Sequence, residues 1–439
     1  MGRLPRSEPT ARGSACTMHR SSPEDESHTT MSTSPDPDVE QAVEPPGAVR
    51  SLGQVRGFDG LRGVGVLIVF VSHLEVILPL PTLLVIPGGT VSLDLFFVLS
   101  GFLITALLLR EQARYGRIGR WAFYRRRILR LLPALLVVVV ATALFAYLTH
   151  AWAKTEVPSI LSVTFYYSNY YTASSPNAFC ANLAPGFEHL WSLSFEEQFY
   201  LVWPWVTIAL LTVRTRLRTV VIILLSLIAL VAVHRAVSYH GIQSWCALFH
   251  RTDTRADSIL WGALVAHLWI RGKEPRKWIH VAVWPACAFL LYCFVKATLT
   301  GPFLYEGGFV GIDLCCAIVL LAVLDKRWSG RWLFELKPFV ALGLVSYGFY
   351  LWHLPVFFAV RYFDPHWNDV VRVVVAFVVT LGLTLLSWFL LERPLMHLKG
   401  RLESQRHHAV PAAATATASP ADGQATDGSP PSEPPSIST

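Results

Sequence analysis

Long apolar runs separated by little charge constrain this chain more than any other feature. Charged residues make up only 15% of the 439 residues, and the mean hydropathy is +0.44. Ordinary soluble domains carry about 25% charge, so a chain this apolar cannot cover a water-facing surface. Composition therefore excludes a soluble enzyme, a DNA-binding protein and a fibrous repeat, and it indicates that most of the chain faces lipid.

About ten of these runs approach the ~20 residues that a helix needs to cross a bilayer. They are 61–80, 91–109, 131–149, 197–213, 219–237, 256–270, 278–296, 307–324, 339–360 and 370–391. The fourth begins with polar residues and the sixth is short, so these two fit a crossing less well. The sequence predicts an all-α fold, a polytopic membrane helix bundle with about ten transmembrane helices.

The two ends of the chain differ from its apolar middle. Residues 1–56 are rich in Ser, Pro, Thr and acidic residues, and residues 399–439 are rich in Ala, Thr, Ser and Pro. Neither stretch has the apolar content to fold alone. We expect two disordered cytoplasmic tails around a membrane domain at 57–398. No short apolar region with a cleavage site follows the first residues, so no signal peptide is expected.

The distribution of Lys and Arg predicts the orientation in the membrane. With residue 1 in the cytoplasm, the inner loops hold 19 Lys and Arg residues and the outer loops seven. Inner loops of membrane proteins carry such an excess, so both termini are predicted to be cytoplasmic. Positive charge placed between apolar runs indicates membrane topology, and we expect no nucleic-acid partner.

Ionisable side chains within the apolar runs indicate a polar interior. Such groups are costly in lipid and face a protein interior or a water-filled cavity. They are Arg62, His73, Asp94, Glu196, Glu197, Asp257, His267, Asp313, His353 and Glu392. A plain membrane anchor would not carry so many, so the bundle is predicted to enclose a polar pocket.

Arg62 and His73 are eleven residues apart on the first predicted helix. That spacing is about three turns and about 16 Å along the axis, so both side chains fall on nearly one face. On spacing alone, a snorkelling anchor for Arg62 and a packing contact for His73 explain both residues more simply than chemistry does.

Two polar runs next to predicted helices have both a chemical and a structural explanation. Arg126, Arg127 and Arg130 suit phosphate recognition, because a guanidinium donates two parallel hydrogen bonds. A basic segment beside a membrane helix is also a common topology signal or lipid contact. Glu196 and Tyr200 are four residues apart and share a helix face. A buried carboxyl there suits proton exchange, whereas an exposed one would only cap the helix.

Cys180 and Cys246 are the two cysteines that fall in predicted outer loops. Disulfides form on the oxidising side of a membrane, so we hypothesise that these two are bonded. Spacing alone leaves two free thiols as an equal alternative.

A series of runs in chain order resembles the acyltransferase-3 family, the integral-membrane O-acyltransferases, over about 56–397. The runs are 58–73, 88–89, 92–105, 126–133, 189–200, 346–353 and 392–394. Each run alone is a weak signal, but together, in order along about ten helices, they are specific.

The resemblance implies transfer of an acyl group, acetyl or another short one, from cytoplasmic acyl-CoA to a hydroxyl. The acceptor would be a cell-envelope carbohydrate, a glycolipid or a secondary metabolite, at the plasma membrane of a bacterium. Acyl-CoA is expected as a co-substrate, without a metal or a tightly bound cofactor. The oligomeric state stays open.

The resemblance makes Arg62 and His73 the functional pair. We expect His73 to act as general base, Arg62 to steady the pantetheine or thioester end and Glu196 to orient His73 or bind the acceptor. Acyl-CoA phosphates are expected at Arg126, Arg127 and Arg130. The predicted pocket and acceptor residues are Asp94, His189, Trp191, Ser192, Tyr200, Tyr347 and His353. Direct transfer and a covalent acyl-enzyme both remain open.

Three other functions remain open from the sequence. A membrane transporter would show an internal repeat, and 61–210 and 219–391 show no clear one. A relay protein would deliver acyl groups across the membrane to a separate transferase. A membrane-embedded binding protein would hold lipid without chemistry. Consumption of acyl-CoA separates the enzyme from the transporter and the binding protein.

Overall fold

The computed structural model describes 55–78, 88–152, 154–175, 180, 182–212, 215–241, 244–271, 277–363 and 366–395. These residues belong to one compact unit, Val49–Thr439. The predicted tails lie outside the described residues, apart from Val55 and Arg56 at the start of the first helix. The described residues fold into helices and turns without a strand, which confirms the predicted all-α class.

Fifteen α-helices form the described part of the chain. They are α1 (Arg56–Ser72), α2 (Thr90–Tyr115), α3 (Arg120–Leu148), α4 (Glu156–Thr164), α5 (Ser168–Ala173), α6 (Trp191–Thr212), α7 (Leu217–Gly241), α8 (Trp245–His250), α9 (Ala256–Ile270), α10 (Trp278–Lys296), α11 (Phe309–Leu324), α12 (Arg331–Phe334), α13 (Lys337–Leu344), α14 (Ser346–Phe363) and α15 (Asp369–Ser387). Short 3₁₀ turns lie at Leu74–Val76, Glu188–Leu190 and Thr252–Thr254, and π-helical turns at Leu304–Gly308 and Trp388–Glu392. Within the described residues, each of the ten predicted apolar runs overlaps one of these helices or a joined pair.

Seven helices of the described chain are long and apolar enough to cross a membrane: α1, α2, α3, α7, α10, α11 and α15, some with their adjoining turns. An eighth crossing results if α13 and α14, which meet at a 78° bend, form one span. The remaining two predicted crossings correspond to α6 and α9. α6 begins with polar residues, and α9 has only 15 residues, fewer than a straight crossing needs.

Glycines allow two helix pairs to pack backbone against backbone. A Cβ atom added at Gly101 of α2 would lie 2.0 Å from the carbonyl oxygen of Ile259, and one at Gly262 of α9 would lie 1.9 Å from that of Val98. A Cβ at Gly63 of α1 would likewise lie 2.0 Å from the carbonyl oxygen of Phe339 on α13. Small residues permit such close contact between membrane helices. The Gly63 contact fixes the position of α1, which carries Arg62 and leads directly into His73.

Ion pairs cross the interior between α2, α7, α9 and the turn before α9. Arg235 donates to Asp257 at 2.8 Å, and Arg255 pairs with Asp94; all four side chains are fully buried. The hydroxyl of Ser258 lies 3.2 Å from Asp94 and 3.0 Å from Asp313 of α11, and it has one proton to share between the two carboxyls. Three carboxyl groups therefore share the interior with two guanidinium groups. Removing one partner of a buried ion pair leaves an uncompensated charge, which is strongly destabilising.

Replacing Arg255 with Leu should destabilise the protein by about 3–5 kcal/mol, because the carboxylate of Asp94 would remain buried without its charged partner. The matched control is Asp313→Asn, since the hydrogen bond of Asp313 is made with Ser258 and an amide can retain it. We expect the control to stay within about 1 kcal/mol of the parent. Thermal unfolding of detergent-solubilised protein, followed by Trp fluorescence, measures both. Equal stability of the two variants would contradict this assignment.

Candidate active site

Three histidines from different parts of the chain lie together. His73 follows the last residue of α1, His189 lies in the 3₁₀ turn before α6, and His353 lies on α14. The ring centroids of His73 and His353 are 5.2 Å apart, and those of His353 and His189 are 4.7 Å apart. We call these three residues the histidine cluster. It unites three residues that the sequence analysis placed in separate runs.

Hydrogen bonds determine which ring nitrogens of the cluster can accept a proton. Nδ1 of His73 lies 2.8 Å from the carbonyl oxygen of Val69, and Nδ1 of His353 lies 2.6 Å from that of Tyr350. A carbonyl oxygen only accepts, so each Nδ1 carries the proton, and Nε2 of a neutral ring keeps its lone pair. His73 and His353 are thereby oriented as bases through Nε2.

His189 differs from the other two rings. It is buried, and neither of its ring nitrogens makes a hydrogen bond of good geometry with a described residue, although the backbone of Tyr350 and Leu351 lies close to the ring. A neutral imidazole always carries one N–H donor. This donor is therefore available to a molecule that enters the cluster.

Hydroxyl groups attach the cluster to α6. The hydroxyl of Tyr350 donates to the carbonyl oxygen of His189. The hydroxyls of Ser192 and Tyr350 lie 2.7 Å apart, and because the Tyr350 proton is already used, Ser192 is the donor between them. Trp191, the first residue of α6, packs its ring 4.5 Å from that of His250.

The turn that presents His189 depends on a glycine and a carboxyl. Gly186 has φ +91°, a backbone conformation that favours glycine, and its N–H donates to Glu188 at 2.7 Å. Burial raises the pKa of Glu188 to about 7, although backbone N–H groups that donate to its carboxylate oppose the rise. Sequence reasoning did not assign a role to either residue.

Arginines form a second cluster with carboxyl and tyrosine side chains. The guanidinium of Arg127 lies 3.4 Å from the ring centroid of Tyr200 and pairs with Glu197 at 3.6 Å. The hydroxyl of Tyr200 donates to Glu196 at 2.9 Å. Arg62, which pairs with Asp59 at 3.4 Å, lies within electrostatic range of Glu196, Tyr200 and Arg127. We call this group, with Arg130, the arginine cluster.

Arg130 is the accessible member of the arginine cluster. Its side chain is exposed, yet it lies among Arg62, Arg127, Tyr200 and Glu392. Arg130 therefore lies at the exposed edge of the arginine cluster. Tyr347 of α14 also lies near Arg130, and its hydroxyl donates to the carbonyl oxygen of Leu131 at 2.7 Å.

The other predicted site residues lie elsewhere or have other partners. Arg126 donates to Glu111 of α2 at 3.2 Å, so Arg126, Arg127 and Arg130 do not form one binding surface. Asp94 pairs with Arg255 in the interior network.

Glu196 makes its hydrogen bonds with Tyr200 and, at 3.3 Å, with Ser100. The ring of His73 is instead oriented by its hydrogen bond to the carbonyl oxygen of Val69.

Tyr350 is the residue of this site that the sequence analysis missed. It lies three residues from both Tyr347 and His353, which were predicted as pocket residues, and so shares a helix face with them. Helical spacing within the run 346–353 was a signal that could have identified it.

Cys180 and Cys246 are joined in a disulfide, with Cα atoms 5.7 Å apart. This bond attaches the loop before the His189 turn to α8. With His250 they are the one group among the described residues whose ligand atoms are close enough to hold a metal ion, and the disulfide occupies both sulfur atoms.

We predict that the disulfide is present in the purified protein. Under denaturing alkylation, the intact mass should show two more labels with a reductant than without it, and these two should map to Cys180 and Cys246. The other cysteines provide the internal control, because their labelling does not depend on reductant. Peptide mapping that finds Cys180 alkylated without reductant would contradict the bond.

Together the fold and the two clusters define a class: a multi-pass membrane protein whose helices enclose polar groups suited to proton transfer and to holding a polar ligand. Comparison with known proteins identifies the family. The family description "Acyltransferase domain" of acyltransferase family 3 matches residues 55–392, and the chain belongs to this family.

The relatives are bacterial. YrhL of Bacillus subtilis, provisionally named as a peptidoglycan O-acetyltransferase, is 31% identical over 354 residues, which cover 78% of this chain and 55% of the relative. The peptidoglycan O-acetyltransferase OatA of Listeria monocytogenes is 30% identical over 315 residues, covering 69% and 49%. A provisionally named O-acetyltransferase of Staphylococcus aureus is 31% identical over 320 residues, covering 70% and 51%.

The chain spans about half the length of these relatives. No solved structure matches it significantly. Family and relatives confirm the resemblance seen in the sequence and identify a multi-pass bacterial membrane protein.

Proposed function

We propose that this protein is a membrane O-acyltransferase that moves a short acyl group, acetyl in the simplest case, from acyl-CoA to a hydroxyl of a cell-envelope carbohydrate. The observation that carries the proposal is the histidine cluster, in which a ring on α1 keeps a basic nitrogen next to two further imidazoles. The names of the relatives support both the acetyl group and a peptidoglycan-type acceptor.

His73 acts as the general base in this proposal. The acceptor oxygen attacks the thioester carbonyl carbon while its proton passes to Nε2 of His73. The new C–O bond forms, the C–S bond breaks, and the departing thiolate takes the proton from the imidazolium. Positioned proton transfer of this kind contributes about 10²–10⁴-fold to a rate.

The N–H of His189 stabilises the oxyanion that forms on the carbonyl oxygen of the thioester. It is buried and makes no well-aligned hydrogen bond with a described residue, which suits a preorganised donor. Arg62 lies about 16 Å from His73 along α1, too far to contact the same carbonyl oxygen. We therefore assign Arg62 to the arm of the donor and not to the reacting carbonyl.

The donor enters at the arginine cluster. Arg130 is exposed there, whereas Arg126 is paired with Glu111 and Arg127 with Glu197. Arg130 is thus the one of these three whose guanidinium is accessible to a phosphate, the group that it binds best. The pantetheine arm then extends past Arg62 towards the histidine cluster. The orientation predicted from Lys and Arg places this entrance on the cytoplasmic side.

Replacing His73 with Ala should lower acyl transfer by about 10²–10⁴-fold, because no base remains for the acceptor hydroxyl. The matched control is His280→Ala, since His280 pairs with Asp325 at 2.9 Å on other helices. Release of CoA from acetyl-CoA and the acetyl mass added to a muramic-acid oligosaccharide measure the reaction. Both variants should purify as monodisperse protein.

Transfer by the His73→Ala variant at the parent rate would remove His73 from its role. If the parent protein itself releases no CoA from acetyl-CoA, the result would instead favour the transporter or the binding protein. CoA release with an acyl group that stays on the protein would favour the relay.

Replacing Arg130 with Ala should raise the KM for acetyl-CoA by about tenfold, the effect of one lost charge-assisted hydrogen bond, with a much smaller effect on the acceptor KM. Arg218→Ala is the control, because Arg218 is exposed at the start of α7 and removes the same charge. Initial rates at varied donor and acceptor concentrations separate the two constants. Equal changes in both constants would contradict docking of the donor at Arg130.

A further inference from the structure

An apolar cavity of about 600 Å³ lies outside both clusters. Its walls come from α3, α14 and α15, with residues such as Ala146, Pro355 and Val379. This volume falls in the range of about 300–1,000 Å³ that is typical of small-molecule sites. Trp352 contributes to the cavity, whereas its neighbour His353 faces the histidine cluster. The cavity and the reaction site therefore share one helix without sharing a space.

Two buried donors line the cavity without partners among the described residues. The hydroxyl of Thr142 and the indole N–H of Trp352 make no hydrogen bond there, and the two side chains are only 6% and 9% exposed. Unsatisfied buried donors are unfavourable, so their presence indicates a ligand with acceptor oxygens. A hydrocarbon body with ester carbonyl groups has both properties.

The cavity lies on the lipid-facing side of the bundle. Val140 and Leu144 of α3 and Val378 of α15, which flank lining residues, are more than half exposed. α3 also packs against the Trp388–Glu392 turn after α15. An apolar surface exposed on a membrane helix faces lipid chains, so a chain can enter from the bilayer.

The charged groups of the cavity are one base and one acid. Arg361 and Glu156 both belong to its lining, towards the end of α14 and the start of α4. A guanidinium binds phosphate well, and a carboxylate attracts an ammonium group. A balanced pair favours a head group that carries both charges over one with net negative charge.

We propose that this cavity is a binding site for an aminophospholipid of the phosphatidylethanolamine type. One acyl chain lies between α3, α14 and α15, the ester carbonyls accept from Thr142 and Trp352, and the phosphate and ammonium groups meet Arg361 and Glu156. The bound lipid supports α14, the helix that carries His353 and Tyr350. This inference goes beyond the proposed function and does not depend on it.

The test uses the full chain, delipidated in detergent and titrated with phosphatidylethanolamine or phosphatidylglycerol. Native mass spectrometry should show one retained phosphatidylethanolamine, with phosphatidylglycerol retained less. Two changes should each lower the bound fraction by about tenfold: Arg361→Gln, which removes a charge-assisted hydrogen bond, and Ala359→Phe, which fills the cavity. Val140→Phe is the matched control, because it adds the same ring outside the cavity, and it should retain the lipid.

Several outcomes would overturn the proposal. They are no retained lipid, equal retention of the two lipids, and retention by Ala359→Phe equal to that of Val140→Phe. Detection of a polyprenyl phosphate in the protein as purified from membranes would assign the cavity to a different lipid. Because Ala359→Phe could fail to fold, Arg361→Gln at the protein surface provides the independent measurement.

Discussion

Charge buried among apolar helices is the constraint on which the rest of this structure depends. A bilayer offers no water to a buried guanidinium or carboxyl, so each must be paired or face a cavity. Arg235 and Arg255 meet this requirement with Asp257 and Asp94, and they bind α2, α7 and α9 into one half of the bundle. The histidine and arginine clusters lie on α1, α3, α6 and α14 and on the turns beside them.

Close backbone contacts give the reactive residues a fixed frame. Gly60 and Gly63 on α1 face α12 and α13 so closely that no Cβ atom would fit. Gly65, farther along α1, faces the ring of Phe96 on α2. One helix thus packs on two sides through small residues, while Arg62 and His73 project into the polar clusters. A rigid α1 keeps the distance between those clusters constant, which a reaction that needs both ends requires.

The helices and most of the site residues could be predicted from residue type and from helical periodicity in the sequence. Long apolar runs identify the helices, and the histidines of the cluster lie within three recognisable runs. Which charged side chains form ion pairs across the bundle could not be predicted in this way. The count of outer-loop Lys and Arg residues included Arg255, because it lies just before the predicted helix at 256–270, whereas the structure buries it against Asp94. Arg126 and Arg127 are consecutive, yet Arg126 pairs with Glu111 of α2 and Arg127 with Glu197 of α6. The sequence does not show which arginine meets which carboxyl.

The charge of the arginine cluster limits what can pass through it. Arg62, Arg127 and Arg130 lie among Asp59, Glu196, Glu197 and Glu392, so three positive groups are matched by four carboxyls. A phosphate that moved into this set would compete with carboxylates already in place, whereas a neutral amide arm would only exchange hydrogen bonds. Under the proposed function, the phosphates of the donor therefore stop at the exposed Arg130, and the pantetheine arm alone enters. That arm must then cover about 16 Å along α1 to bring the thioester to His73.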